Sequence, residues 1–253
     1  MSGLELVLLG DGRMATAVER AADAGGHAIV GRLGRGALQD PERLAAALRG
    51  ADAAIDFTHA DQVGRSVAAA TTAGVPLVVG TTGWDPDTVE LGAVQEAGGG
   101  LVHGPNFSLG VQVFLALARK AARLVDAVQG YDVHLHETHH RFKADHPSGT
   151  AVRTAEVLVE ELREKRRWVL GPGPKDGPVE EDVLYVTSSR VGHVPGSHVV
   201  GLEGRYDRLE LRHDARGREG FAQGAVRAAA WIQGRSGVFT FEEVVADLLE
   251  GRS

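Results

Sequence analysis

The sequence predicts an α/β protein that opens with a dinucleotide-binding fold. Three observations carry this reading. Residues 4–9 form a short apolar run that ends in the glycine turn Gly10-Asp11-Gly12-Arg13-Met14-Ala15. An Ala-rich helical stretch follows over residues 16–24, is stopped by Gly25-Gly26, and leads into a second apolar run at residues 27–30. Strand-like and helix-like stretches then alternate as far as residue 107. A G-x-G-x-x-A motif is weak alone, but here a strand precedes it and a helix follows, which is the context it requires.

The later elements extend the pattern. A helix is expected over residues 41–49, and Ala53-Ala54-Ile55-Asp56-Phe57-Thr58 reads as a buried strand with a polar end. A helix over 60–73 leads to the strand Pro76-Leu77-Val78-Val79-Gly80. A helix over 87–97 leads to Leu101-Val102-His103. Strands alternating with helices imply a parallel sheet whose right-handed crossovers place all strand C-termini at one edge, where ligands bind. Gly10, Thr58, Gly80-Thr81-Thr82 and Gly104-Pro105-Asn106-Phe107 fall at that edge and form the expected cofactor wall, with Asp11, Gly12, Arg13 and Met14 of the turn.

After residue 106 the texture changes. Residues 111–128 form a long apolar helix. Residues 131–137 alternate, with Tyr131, Val133, Leu135 and Glu137 on one face. A helix over 149–164 and a Gly/Pro-rich loop over 171–177 follow. Residues 183–189, 198–202 and 208–213 read as antiparallel strands, and the tail returns to helix over 220–233 and 241–249.

Composition narrows the function. With 27 basic and 34 acidic residues the net charge is -7, which argues against a nucleic-acid partner. The run Arg163-Glu164-Lys165-Arg166-Arg167 reads as a solvated helix end, with a phosphate patch as second reading. The absence of cysteine excludes disulfides, thiolate catalysis and cysteine-ligated metals. No basic leader precedes the first apolar run, which is too short for a membrane span. A soluble cytoplasmic protein with no membrane partner is expected.

The chemistry concentrates in Glu137-Thr138-His139-His140-Arg141-Phe142-Lys143-Ala144-Asp145-His146-Pro147-Ser148-Gly149-Thr150-Ala151. Histidines move protons near neutral pH. Lys143 supplies a compact positive charge and an acid. Ser148-Gly149-Thr150 reads as a helix start, whose free N–H groups attract anions. Together they suit a small carboxylate that is protonated as it reacts. A metal site built from His134, His136, His139 and His140 lacks a standard spacing, so no metal is expected. At the end of the second strand, where an acid favours NAD, the chain has Gly31-Arg32-Leu33-Gly34-Arg35, with Asp40 the nearest acid. Arg32 or Arg35 could pair with a 2′-phosphate, which favours NADPH and leaves NADH possible.

With these residues in view, the chain resembles the 4-hydroxy-tetrahydrodipicolinate reductase (dihydrodipicolinate reductase) family nearly end to end. The resemblance rests on Gly12-Arg13-Met14, Ala54 to Thr58, Val79 to Gly83, Asn106 to Val111 and the 137–151 signature. It continues through Arg190-Val191-Gly192, Gly196-Ser197-His198 and Phe221 to Arg227. It implies a Rossmann domain from residues 1–107 and 220–253, and an inserted α+β substrate and oligomerisation domain from 108–219, assembled as a homotetramer. It also implies reduction of a cyclic dicarboxylate by NAD(P)H with loss of water, in lysine and diaminopimelate biosynthesis. His139 then corresponds to the catalytic histidine and Lys143 to the proton donor. His140 corresponds to a substrate-binding residue, and Ser148, Gly149 and Thr150 to the carboxylate cradle. Lys143 can pair with a carboxylate or act as acid. The chain departs in its compact glycine turn and in Gly217, where serine is common. Aspartate-semialdehyde dehydrogenases share the two-domain logic but need a cysteine. A dinucleotide-binding sensor without turnover, or a reductase of another cyclic imine, is the alternative.

Overall fold

The computed structural model describes residues 3–251, which divide into two compact units. One runs up to Leu109 and resumes at Arg218; the other is Gly110–Gly217.

The first unit is built on a six-stranded sheet of β1 (Glu5–Leu9), β2 (Ala28–Leu33), β3 (Ala53–Asp56), β4 (Leu77–Val79), β5 (Gly100–His103) and β11 (Gly237–Thr240). Their order is β11-β5-β4-β3-β1-β2, and every neighbouring pair is parallel. A parallel sheet is covered on both faces, so the middles of its central strands are apolar on both sides. Alternate residues feed two separate cores. Leu6, Leu8, Ala53, Ile55, Val78 and Val102 pack against α1 (Arg13–Ala24), α7 (Glu219–Trp231) and α8 (Phe241–Leu249). Val7, Leu9, Ala54, Leu77, Val79 and Leu101 pack against α2 (Pro41–Leu48), α3 (Val63–Ala73) and α4 (Leu91–Glu96).

Local chemistry sets the helix ends. Asp40 caps α2 by accepting from Glu42 N–H and Arg43 N–H, both at 3.1 Å. This commits the first acid after β2 in the sequence to a structural task. Thr240 and Glu243 form a reciprocal capping box on α8.

The second unit contains α5 (Leu109–Val128), β6 (Tyr131–His139), α6 (Gly149–Glu161), β7 (Arg167–Leu170), β8 (Val183–Arg190), β9 (Ser197–Gly204) and β10 (Arg208–Asp214). The sheet order is β10-β9-β6-β8-β7. One face is packed: Val133, Leu135, Leu184, Val186, Val200 and Leu202 meet Phe114, Ala118 and Ala122 of α5 and Ala155 and Leu158 of α6. The opposite face is polar and carries His134, His136 and Thr138, as expected from strand alternation.

The α/β class and the parallel first sheet are as the sequence predicts, but three expectations are corrected. β8 is not antiparallel to its neighbours: it runs parallel to both β6 and β7, because α6 and the long 171–182 connection act as crossovers. β7 and β11 were not anticipated, and each is only four residues long. The basic run at 163–167 is exposed as expected except at Lys165, and it lies past the helix rather than on its end. α6 stops at Glu161, Arg163 grips Asp126, and Lys165 is buried with its Nζ on Asp132 and on the carbonyls of Glu181 and Val183.

Gly224 explains one resemblance motif. A side chain there would lie 1.8 Å from the Phe107 carbonyl and 2.9 Å from the Phe241 ring, so only glycine lets α7 pass this close. Intrinsic helix propensity favours Ala over Gly by about 1 kcal/mol. Gly224→Ala is nevertheless expected to destabilise the protein, by about 1–3 kcal/mol of overpacking or more. A lowered midpoint in urea unfolding checks this.

Candidate active site

In the first unit the sequence-predicted residues collect at the carboxyl edge of the sheet. Gly10 is left-handed (φ 111°), and a side chain on it would strike the Phe57 carbonyl at 2.7 Å. Only glycine lets the turn after β1 cross the end of β3. Gly12 gives α1 no side-chain cap, so the first N–H groups of the helix have no side-chain acceptor. Gly10, Asp11, Gly12 and Arg13 line a cavity of about 720 Å³. Four arginines, Arg13, Arg35, Arg65 and Arg218, and His59 share it. Thr58, Gly80, Thr81, Thr82 and the 105–107 segment line a second cavity of about 320 Å³, together with Met14.

Asp56 fixes this wall. Its fully buried Oδ1 accepts from the Thr58 N–H (2.8 Å), the Thr58 hydroxyl (2.7 Å) and the Thr81 hydroxyl (2.8 Å). The loops after β3 and β4 are thereby clamped together. Gly80 is required because a side chain there would meet the Phe57 ring at 2.2 Å.

Two expected residues are elsewhere. Arg32 lies within β2 and turns back onto α1, donating to the Asp11 carbonyl (2.7 Å) and Thr16 (3.2 Å) and pairing with Glu19. It lines neither cavity. Gly104 packs on Phe241 instead. Arg35 does line the cavity, with its guanidinium 3.3 Å from His59 Nε2. His59, Arg65 and Arg218 were not anticipated. Arg218 had no local signal, since it follows the other lining residues by more than a hundred positions.

In the second unit the signature spans the end of β6 and the start of α6. Ser148 caps α6 by accepting from Ala151 N–H at 3.2 Å. Lys143 Nζ lies 2.8 Å from the Asp145 carboxylate, which the Gly149 N–H also reaches. Burial raises the affinity of Asp145 for a proton, but Lys143 together with the backbone N–H groups of Asp145 and Gly149 outweighs it and holds the carboxyl below its usual range. His140 lies tilted beside Phe142, with ring centroids 6.3 Å apart, and its Nδ1 is buried without a hydrogen-bond partner.

His139 is buried, and its Nδ1 bonds the carboxylate of Glu137. Glu137 also accepts from the Ser188 hydroxyl, from Arg190 Nη1 at 2.9 Å and from the Ser148 N–H at 3.3 Å. Burial opposes its ionisation, yet His139, Ser188 and Arg190 together hold its pKa down to about 2. His198 packs edge-on to His139, with ring centroids 5.1 Å apart, and its Nε2 lies 3.0 Å from Ser148 Oγ. Burial, reinforced by His139, pushes the His198 pKa down to about 4. Strand alternation divides the histidines considered for a metal: His136 sits on the opposite face between Thr138 and Thr187. Ligand atoms of Glu137, His139 and His198 do come within 4.8 Å of one another. The Glu137 oxygens, however, are already taken by four donors, one of them a guanidinium.

A glycine turn, an uncapped helix start and a ring of arginines fit the pyrophosphate of a dinucleotide. With a second unit bearing a buried carboxylate–imidazole cluster, the fold and site define a Rossmann-type, NAD(P)H-dependent oxidoreductase. The family profile described as "Dihydrodipicolinate reductase, N-terminus" matches residues 4–107, and "Dihydrodipicolinate reductase, C-terminus" matches residues 110–245. The chain is 33% identical over 248 residues to a 4-hydroxy-tetrahydrodipicolinate reductase of Christiangramia forsetii, covering 98% of this chain and 100% of that one. It is 41% identical to one of Anaeromyxobacter dehalogenans, covering 90% and 86%. Among solved structures, dipicolinate-bound dihydrodipicolinate reductase from Paenisporosarcina sp. TG-14 superposes with a TM-score of 0.73 at 19% identity. That match covers 95% of this chain and 99% of the other, and it speaks to the fold. The chain belongs to the dihydrodipicolinate reductase family.

The buried His198 generates a pH dependence. Unfolded, it protonates at its ordinary 6.5; folded, only at about 4. Between these values the unfolded state binds the extra proton, so stability is full above 6.5 and falls as pH drops toward 4. Glu137 adds a second loss at lower pH, between 4.5 and about 2. Denaturation midpoints measured across the upper window should fall for the native protein and show a flatter slope for His198→Asn.

Proposed function

We propose that this protein reduces 4-hydroxy-tetrahydrodipicolinate to tetrahydrodipicolinate with NAD(P)H and loss of water, in lysine and diaminopimelate biosynthesis in the cytoplasm. Family membership supports this reading, and the observation that carries it is the convergence of Lys143, the Gly149 N–H and the His139–Glu137 pair at the start of α6. A cyclic dicarboxylate needs an anion cradle and an acid, and the 137–151 signature contains both. Among the described residues no helix is long and apolar enough to cross a membrane.

In this reading the first unit binds the cofactor and the second binds substrate. Gly10, Asp11, Gly12 and Arg13 hold the pyrophosphate against the start of α1. Met14, Thr58, Gly80, Thr81, Thr82 and the 105–107 segment form the wall beside the nicotinamide, which supplies a hydride when bound. Gly149 and Thr150 take one substrate carboxylate at the start of α6, with Ser148 holding the turn and His140 beside it. Lys143 now shares Asp145 with the Gly149 N–H, the two groups an incoming carboxylate would use. Lys143 supplies the proton that accompanies reduction, with His139 as the catalytic histidine beside it. The polar face of the second sheet is the proposed surface for a homotetramer.

NADPH is the favoured cofactor. Arg35, past the end of β2, reaches the cavity and can meet a 2′-phosphate, with His59 and Arg65 beside it. Asp11 tempers the preference: its carboxylate lies against Gly34, so the turn returns an acid to the end of β2 and keeps NADH usable.

Steady-state oxidation of NADPH and NADH, with substrate generated from pyruvate and aspartate semialdehyde by the preceding synthase, tests the assignment. Substrate-dependent turnover is expected. A folded protein that binds NADPH without turnover would point to the sensor. Lys143→Ala should lower kcat by about 10²- to 10⁴-fold and leave NADPH binding near normal; ordinary turnover would overturn its role. Arg35→Ala should weaken NADPH by about 10-fold or more, the value of a charge-assisted hydrogen bond, and barely affect NADH. Arg32→Ala should not separate the two cofactors, and a selective loss of NADPH there would reverse the assignment.

A further inference from the structure

We propose that Glu137 is a positioning residue for His139: its buried carboxylate fixes the imidazole as the Nδ1–H tautomer and leaves Nε2 as the nitrogen that exchanges a proton. The inference rests on the reading of His139 as a catalytic residue.

Strand register builds the arrangement. Glu137 and His139 are two apart on β6 and share its buried face. Glu137 pairs in register with Ser188 on parallel β8, and His139 with Arg190. On the other side Glu137 pairs with His198 on antiparallel β9. Three adjacent strands thus place a hydroxyl, a carboxylate and an imidazole in one row, and a guanidinium and the second imidazole in the next. The start of α6 closes the cluster by donating the Ser148 N–H.

The tautomer follows from the donors. A carboxylate held ionised only accepts, so the His139 Nδ1 that bonds it carries a proton. The charged and titratable groups around the pair are Arg190 from β8, His198 from β9, His213 from β10, and Lys143 and Asp145 from the loop. Of these, Arg190 alone bonds the carboxylate, and it ties the loop as well by donating Nη2 to the Asp145 carbonyl at 2.6 Å. The far edge of the ring is shaped too. Gly196 is left-handed (φ 154°), and a side chain there would come within 2.8 Å of His139 Nε2. Glycine leaves that nitrogen uncrowded while Glu137 grips the other.

A merely structural Glu137–Arg190 ion pair would be indifferent to the tautomer, which gives the test its edge. In Glu137→Gln the amide oxygen can still accept from Ser188 and Arg190. Its NH₂ then faces His139 Nδ1 and demands the Nε2–H form. Long-range ¹H–¹⁵N correlation spectra of the cofactor-free protein read this directly. The native protein should show His139 as Nδ1–H, and Glu137→Gln should show the Nε2–H form. In the assay the variant should lose about 10²- to 10⁴-fold in kcat, the scale on which an acid-to-amide change disables a catalytic histidine. The KM for NADPH should stay within about twofold, because the residues lining the dinucleotide cavities all belong to the other unit.

A native His139 in the Nε2–H form would overturn the proposal without any variant, so a Glu137→Gln protein that fails to fold does not shelter it. A folded variant with the native tautomer and ordinary kcat would overturn it as well. If the native enzyme lacked turnover, the functional reading would fall, while the tautomer measurement would still decide what Glu137 does to the ring.

Discussion

A carboxylate with no solvent around it must find its partners inside the protein. Glu137 finds four, and they come from different parts of the second unit: His139 on its own strand, Ser188 and Arg190 on the neighbouring strand, and the first turn of α6. Through Arg190 the cluster also holds the 140–147 loop, which is pinned again where Arg141 N–H and Val191 N–H bond the carbonyls of Gly192 and His139. Loops of this length are ordinarily mobile. Here the loop that carries Lys143 is referenced to a rigid three-strand row. The chemistry proposed for the unit depends on that rigidity, since proton transfer needs heavy atoms held within hydrogen-bond reach.

The first unit solves a different problem with different material. Its ligand edge is made of backbone and glycine: Gly10 and Gly80 permit approaches that a methyl group would block, and Asp56 locks the threonine loops from beneath. Arginines then supply the charge. A net negative chain that gathers four of them around one cavity, against Asp11 and Asp61, has a local excess of positive charge there, which suits anionic ligands regardless of overall charge.

Much of this was legible in the sequence. Continuous apolar runs and glycine turns mark parallel strands, and the 137–151 signature gathers the residues proposed as acid and cradle. What escaped had physical reasons. Period-2 alternation says which residues share a face but not which way a neighbour runs, so the direction of β8 was not encoded locally. β7 and β11 are too short to show a period at all. Arg32 and Arg35 look equivalent as letters, yet β2 ends at Leu33: the strand commits Arg32 to α1, while Arg35 lies beyond it and is free to face the cavity. Glu137 and His198 were visible within motifs, but their meeting depends on register across β6 and β9, which only the folded sheet supplies.

The return of the chain to its first sheet bears on the order of folding. Ala222, Ala225, Ala228 and Ala229 of α7 complete the core that Leu6 and Leu8 of β1 begin, some two hundred residues earlier. During synthesis that sheet face waits, half-covered by α1, while all of the inserted unit is made. The insert has its own core and no such debt, so it can close first. Contacts this distant in sequence are slow to form and leave apolar surface exposed meanwhile. A ribosome-bound chain stopped short of α7 would therefore hold a finished second unit beside an unfinished first one, and it is the first that chaperones would need to shield.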